Sequence, residues 1–157
     1  MKTRAAQILD TLSIRYEIRE FKEEPLTAEE AAEKLHIPLT QVFKTLVVRG
    51  DRTGIIEVCI PGTRELNLKA LARITGDKKI ELVQVDDVFK LTGYLRGGCS
   101  PLGGKKKYPV YIDQSAEQCQ FISISAGMRG MQIWLAPKDL IKAAGATIGE
   151  LTSTIER

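Results

Sequence analysis

The chain has 157 residues, of which 43% are hydrophobic and 27% are charged, as in ordinary globular domains. This composition argues against disorder, and the length predicts one domain over residues 1–157. The formal net charge of +3 is too small to identify a nucleic-acid-binding protein by itself. We find no secretory leader and no apolar run long enough to cross a membrane, so we expect a cytoplasmic protein.

The cysteines and the single histidine give no sign of a metal site or a disulfide framework. Cys59, Cys99 and Cys119 are an odd and scattered set, which also fits a reducing compartment. His36 falls at a predicted helix end, where a cation is favoured. Because no His-x-x-x-His or Cys-x-x-Cys spacing occurs, we predict neither a metal nor a cofactor.

Apolar periodicity predicts an alternation of helices and strands. Thr27 opens a capping box, and Gly76 and Gly145 are placed to end helices. In chain order we predict a helix around Ala5–Leu12, a strand around Ile14–Ile18, a helix after Thr27, a helical turn at Pro38, a hairpin of strands Phe43–Arg49 and Ile55–Ile60, a helix around Leu68–Ala72, a strand at Ile80–Val83, a helix at Val85–Leu91, strands at Tyr108–Ile112, Gln120–Ser125 and Met131–Leu135, and a helix from Pro137.

Several of these strands are joined by short turns, and a strict βαβ alternation is absent. We therefore predict an α+β domain with a mixed, largely antiparallel sheet flanked by helices. The sheet is either open or closed into a barrel of six to seven strands.

A glycine-rich loop is the most informative segment of the chain. Five glycines fall within twelve residues from Gly93 to Gly104, and three lysines, Lys105 to Lys107, follow. Glycine allows close backbone approach, and exposed N–H groups can bind an anion or a developing oxyanion. The segment Ser123–Gly130 is predicted to form the opposite wall of a ligand site. The lysines are either a solvated run or a patch that contacts phosphates.

Lys44 and Cys99 are the side chains with chemical potential near these segments. By strand parity Lys44 shares a face with Leu46 and Val48, so its charge needs either water or a ligand. We favour a lysine at a cavity mouth that holds a phosphate or carboxylate. Cys99 is either a nucleophile or a small buried hydrophobe, and the lack of a nearby base in the sequence favours the second.

These segments together resemble the YbaK/EbsC family, whose members are aminoacyl-tRNA deacylases related to the editing domain of prolyl-tRNA synthetase. Four motifs occur in the family's order and spacing over nearly the whole chain. They are Phe43–Leu46, Gly93–Gly103, Lys105–Lys106 and Ser125–Gly130. The glycine loop is similar to that of the branch that acts on Cys-tRNA(Pro).

The resemblance implies hydrolysis of the ester that joins cysteine to the 3′ adenosine of tRNA(Pro), with a YbaK-like fold. It implies that the substrate thiol attacks the ester and leaves as a thiolactone, so the protein needs only to position the ester and stabilise charge. It implies two partners, the acceptor end of tRNA and prolyl-tRNA synthetase.

The resemblance also implies a set of site residues. Lys44, Gly97 and Gly98 are expected at the reacting ester, with Lys44 on a phosphate or ribose and the glycine N–H groups on the carbonyl oxygen. Lys105, Lys106 and Arg129 are expected on further phosphates, with a structural role for the arginine as the alternative. The expected substrate pocket consists of Tyr16, Phe21, Thr45, Cys99, Ser100, Pro101, Ser125, Ala126, Gly127 and Gln132.

Two positions depart from the family pattern. Phe21 stands where the family has an active-site tyrosine, and Tyr16 on the same predicted strand is a candidate substitute. Gln132 stands where some members have an aspartate. The alternatives are a deacylase for another mischarged tRNA, such as Ala-tRNA(Pro), and a non-catalytic module that binds tRNA or a synthetase.

Overall fold

The structure is a computed structural model that describes residues 2–21 and 27–155. Within these ranges the helices are α1 (Arg4–Thr11), α2 (Ala28–Leu35), α3 (Leu68–Thr75), α4 (Val85–Thr92) and α5 (Pro137–Ala144). The strands are β1 (Glu17–Glu20), β2 (Phe43–Gly50), β3 (Gly54–Pro61), β4 (Arg64–Leu66), β5 (Ile80–Leu82), β6 (Val110–Asp113), β7 (Ile122–Ser125), β8 (Met131–Leu135), β9 (Thr147–Gly149) and β10 (Thr152–Thr154). Short 3-10 turns occupy Leu39–Gln41 and Gln114–Gln118.

The described strands form three sheets. The largest is mixed, with the order β5-β2-β3-β6-β9, in which β5, β2 and β3 are antiparallel and β6 and β9 are added in parallel. A second sheet, β1-β8-β7, and a pair, β10-β4, are antiparallel. The mixed, largely antiparallel α+β prediction is confirmed. The alternative of a closed barrel is not, because the described strands leave separate sheets.

Local sequence signals account for the helix boundaries. The Thr27 hydroxyl accepts a hydrogen bond from the Glu30 N–H at 3.1 Å, which satisfies a free donor at the start of α2. Gly76 and Gly145 adopt left-handed backbone conformations and end α3 and α5 as predicted. His36 occupies the corresponding position after α2, with φ of 58°.

Two apolar clusters lie against the central sheet. The side chains of Phe43 and Cys59 face a cluster that includes buried residues of α1, α5, β7 and β8. Val48 and Ile60 face the opposite cluster, which α3 covers through Leu71. The alternating pattern of β2 and β3 therefore decides which side chains reach which cluster. No helix within the described ranges is long and apolar enough to span a membrane.

The hairpin of β2 and β3 is fixed at its turn by a buried carboxylate. Asp77 accepts hydrogen bonds from the Arg52 N–H at 2.7 Å and the Thr53 N–H at 2.9 Å. The hydroxyls of Thr53 and Thr75 donate to its second oxygen at 2.7 and 2.6 Å. Burial by itself would raise the pKa of this carboxyl, but the four hydrogen bonds outweigh it and hold the pKa well below its ordinary value.

Candidate functional site

A cavity of about 410 Å³ opens beside β2. It lies between β2, the start of α2, the segment from β5 to α4, the glycine loop, and the ends of β7 and β8. Its lining residues are Thr27, Ala28, Glu29, Ala31, Val42, Phe43, Lys44, Thr45, Leu46, Val47, Leu82, Val83, Val85, Val88, Arg96, Gly97, Cys99, Ser125 and Gln132. The cavity therefore joins segments that are far apart in the sequence, as a ligand site commonly does.

The edge of β2 is open along this cavity. β5 pairs with β2 only from Val48 to Gly50, and Val83 adds one bond by donating its N–H to the Val47 carbonyl at 3.0 Å. Since backbone groups alternate in direction along an antiparallel strand, the peptide group of Thr45 also points to the β5 side. No strand within the described ranges pairs with β2 there. The cavity can thus offer a ligand backbone groups as well as side chains.

Lys44 lies at the rim of the cavity. Its side chain is exposed, and no hydrogen bond or ion pair joins its ammonium group to another described residue. Arg96 is a second exposed cation in the lining, and Glu29 is the acid there. An unpaired lysine beside an arginine favours a ligand with negative charge at this rim.

The two glycine-bearing segments, which were predicted as opposite walls of a ligand site, pack directly on each other. A methyl group added to Gly98 would lie 3.1 Å from the backbone nitrogen of Arg129 and 3.3 Å from the backbone carbonyl carbon of Met128. One added to Gly127, where φ is 101°, would lie 2.9 Å from the Tyr94 ring. Glycine is therefore needed at both positions for close approach.

Arg129 holds these two segments together. Its Nε donates to the Arg96 carbonyl oxygen at 2.7 Å, which ties the segment after β7 to the glycine loop. This bond supports the structural alternative for Arg129. A phosphate contact through its remaining guanidinium nitrogens stays a prediction.

The expected pair of glycine N–H donors needs one correction. The Gly98 N–H donates to the Leu95 carbonyl at 2.9 Å within the loop, and Gly98 is absent from the cavity lining. This donor is therefore already used to close a turn. The N–H groups of Gly97 and Cys99 have no acceptor among the described residues, and both residues line the cavity. No described residue therefore competes with a ligand for these two N–H groups.

Ser125 and Gln132 form the wall opposite the loop. The Ser125 hydroxyl accepts a hydrogen bond from the Gly127 N–H at 3.2 Å. The side-chain amide oxygen Oε1 of Gln132 accepts a hydrogen bond from the Ser123 hydroxyl at 2.7 Å. Both residues are buried and line the cavity. The amide of Gln132 is thus held by a buried partner where the family pattern has an aspartate in some members.

Cys99 lies in the cavity wall as a neutral thiol. Its side chain is buried, and burial raises its pKa to about 12, with Glu57 and Cys59 adding to the effect. Since the thiolate is the nucleophile, such a pKa favours the small-hydrophobe interpretation. The three cysteines are free thiols.

Several predicted pocket residues do not line this cavity. Tyr16 donates its hydroxyl to Asp10 at 2.8 Å and packs on the α1 side of the core, so it does not substitute for the family tyrosine in this cavity. Phe21 packs on the α2 cluster. The others are buried or close to the loop without lining the cavity, namely Ser100, Pro101, Ala126 and Gly127. Their spacing in the motifs reflects packing of the two glycine segments.

Lys105 and Lys106 also lie outside the cavity lining. Both are exposed, and the Lys106 ammonium lies 5.9 Å from the centre of the Tyr108 ring. They follow the glycine loop, so phosphate contacts beyond the cavity stay a prediction for them.

Several residues of the cavity lining were not predicted from the sequence, among them Arg96, Glu29, Val85 and Val88. Arg96 lies within a quoted motif, and its charge between glycines was the available signal. No local sequence signal marked the other three, Glu29, Val85 and Val88, because only the tertiary fold brings α2 and α4 to the edge of β2.

Known proteins are similar to this chain in sequence and in fold. A family model described as the aminoacyl-tRNA editing domain matches residues 22–143. A protein of Enterococcus faecalis, provisionally named Cys-tRNA(Pro)/Cys-tRNA(Cys) deacylase EbsC, is 43% identical over 97% of this chain and 94% of its own length. A solved structure, provisionally described as a trans-editing enzyme for prolyl tRNA synthetase, has a TM-score of 0.87 at 25% identity, covering 96% of this chain and 95% of that one.

A proline–tRNA ligase of Thermosipho africanus is 32% identical over 51% of this chain, a stretch that makes up only 14% of the ligase. The likeness to the ligase is therefore to a small part of a much longer protein. The match to the family model covers most of the chain and includes every residue that lines the cavity. The chain belongs to the aminoacyl-tRNA editing domain family.

Proposed function

We propose that the protein is an aminoacyl-tRNA deacylase that acts in trans and removes cysteine from mischarged Cys-tRNA(Pro). The names of the Enterococcus faecalis relative and of the similar solved structure support this substrate class. Prolyl-tRNA synthetase is the expected source of the error, since a pocket rejects an amino acid of similar size poorly.

The observation that carries the proposal is the convergence of Lys44, the Gly97 loop and Ser125 on one cavity. In this proposal Lys44 holds the terminal phosphate or ribose of the tRNA. The N–H groups of Gly97 and Cys99 face the ester carbonyl oxygen. Donors fixed in position before the reaction stabilise charge that develops in the transition state.

In the proposed reaction the substrate supplies the nucleophile. The sulfur of the bound cysteine attacks its own ester carbonyl, a C–S bond forms, and the C–O bond to the tRNA breaks. The thiol proton is lost, the 3′ oxygen of the tRNA takes up a proton, and cysteine leaves as a thiolactone. The protein contributes orientation and charge stabilisation, which together account for large rate effects.

The proposed partners are the acceptor end of tRNA and prolyl-tRNA synthetase. Lys105, Lys106 and Arg129 are the proposed contacts to phosphates beyond the cavity. Because a synthetase complex would supply the choice of tRNA, we expect loose discrimination among tRNAs by the isolated protein. Cys-tRNA(Cys), which the relative's name includes, is therefore a necessary comparison substrate.

The test is a panel of substrates with the purified protein. Cys-tRNA(Pro) and Cys-tRNA(Cys) should both lose their amino acid quickly, while Ala-tRNA(Pro), Ser-tRNA(Pro) and S-methylcysteinyl-tRNA(Pro) should not. The S-methyl substrate has almost the same shape as cysteine but lacks the thiol that cyclises. Hydrolysis of the alanyl or S-methyl ester at a similar rate would show that the substrate thiol is not the nucleophile and that the protein supplies or positions it. No hydrolysis of any ester would favour a non-catalytic binding module.

Cys99→Ala should reduce deacylation by less than about threefold. The substitution removes a neutral buried thiol but keeps the backbone N–H proposed to face the carbonyl oxygen. Single-turnover rates with Cys-tRNA(Pro) measure the effect. Complete loss of activity in a folded Cys99→Ala protein would instead identify Cys99 as the nucleophile.

A further inference from the structure

Glu57 is a buried acid that the proposed reaction does not use. It lies in the middle of β3, on the same face as Cys59, and only 4% of its surface is exposed. Its peptide N–H donates to the Pro109 carbonyl at 2.9 Å, which fixes the strand beside β6. Among the described residues it forms no ion pair. A carboxyl group buried without a cation is costly, so its position calls for a physical reason.

The Glu57 carboxyl contacts the wall of the cavity through Cys99. Its Oε2 lies 4.0 Å from Sγ of Cys99, and Cys99 lines the cavity with 8% of its surface exposed. The other titratable groups facing the pair are Cys59 on β3 and Tyr94 in the glycine loop, and Arg4 of α1 acts on Tyr94. Among the residues that the structure describes, no positively charged group acts on Glu57.

We propose that Glu57 is a positioning residue that keeps the Cys99 thiol protonated and unreactive in the cavity wall. A negative charge next to a thiol disfavours the thiolate. This role presupposes the proposed deacylase function, because an unreactive thiol matters only when an ester is bound beside it. A Cys99 thiolate would attack a bound ester, form a C–S bond, expel the tRNA 3′ oxygen, which takes up a proton, and leave a thioester on the protein.

The ionisation of Glu57 fits this role. Burial raises the pKa of the Glu57 carboxyl to about 7, so the group is largely neutral in acid and carries its charge above neutrality. Thiolates form increasingly as the pH rises, so the charge of Glu57 is present in the range where Cys99 would become reactive. At pH 6 Glu57 is largely neutral, so replacing it with an uncharged residue leaves the small thiolate fraction of Cys99 unchanged.

The test measures the alkylation rate of each cysteine by iodoacetamide, followed by peptide mass spectrometry. A Cys119→Ser background removes the partly exposed thiol, and the fully buried Cys59 reports on unfolding. Glu57→Gln should raise the Cys99 rate about tenfold at pH 8.5 and leave it unchanged at pH 6, with Cys59 unlabelled. Glu29→Gln, which removes an exposed acid from the same cavity, should change neither rate.

Two results would overturn the proposal. One is an equal Cys99 rate in the parent and Glu57→Gln proteins at pH 8.5. The other is a rise in Cys59 labelling that matches the rise at Cys99, which would show that Glu57 only supports packing. Because alkylation needs no tRNA, failure here differs from failure of the proposed deacylase activity, which the substrate panel measures separately.

Discussion

Lys44→Ala is expected to lower kcat/KM for Cys-tRNA(Pro) deacylation on the order of 100-fold, with the fold intact. The ammonium group lies unpaired at the cavity rim among the described residues, so no internal contact is lost. What disappears is the positive charge proposed to hold the tRNA phosphate or ribose. Misplacing the ester relative to the Gly97 loop then costs rate as well as binding. Single-turnover kinetics at several protein concentrations separate the two effects.

Lys138→Ala is the matched control, because Lys138 is an exposed lysine of α5 outside the cavity lining. It should retain the parental rate. Both variants should keep the parental melting temperature within about 1–2 °C, since surface substitutions away from special contacts change stability little. A Lys44→Ala protein that deacylates at the parental rate would remove Lys44 from the mechanism.

Asp77→Ala is expected to destabilise the fold by about 3–4 kcal/mol. The carboxylate accepts four hydrogen bonds that hold the turn between β2 and β3 against the end of α3. The substitution leaves the Arg52 and Thr53 N–H groups without their partner in a partly buried turn. Chemical denaturation at pH 7 measures the loss. Asp86→Ala, at an exposed position in the first turn of α4, should cost less than about 1 kcal/mol.

The same carboxylate gives a pH dependence with a definite sign. The folded state holds the pKa of Asp77 below its unfolded value, so its contribution is present above the unfolded pKa, near 3.8. That contribution is lost as the pH falls through the folded pKa. The stability difference between the parent and Asp77→Ala should therefore shrink on acidification below about pH 4. A difference that stays constant down to pH 2 would contradict this account.

Part of the candidate site was predictable because its signals are local. Lys44 stands out as a charge that shares a strand face with Leu46 and Val48, and Gly97 stands out as a glycine in a dense run. The role of Gly98 was not predictable in the same way. Whether its N–H is free or already bonded to Leu95 depends on the turn that the loop forms, and the sequence does not specify that turn.

The short strands show the same limit. β4, β9 and β10 have three residues each, too few for a period to appear, and they are strands only because a partner lies beside them. Tyr16 also shows it, since a strand was predicted around Ile14–Ile18 but pairing with β8 begins only at Glu17, which leaves Tyr16 just before β1. One local signal marked Glu57 as unusual, because it is the single acid in a strand that is otherwise apolar.

The sequence by itself determined the α+β class, the main helices and strands, the glycine segments and the family. Those follow from periodicity, capping residues and motif spacing, which depend on neighbours along the chain. Only the tertiary structure decided which residues share the cavity, that Tyr16 lies outside it, and that Glu57 contacts Cys99. These relations join residues up to about a hundred positions apart, and packing and strand pairing set them, rather than local sequence.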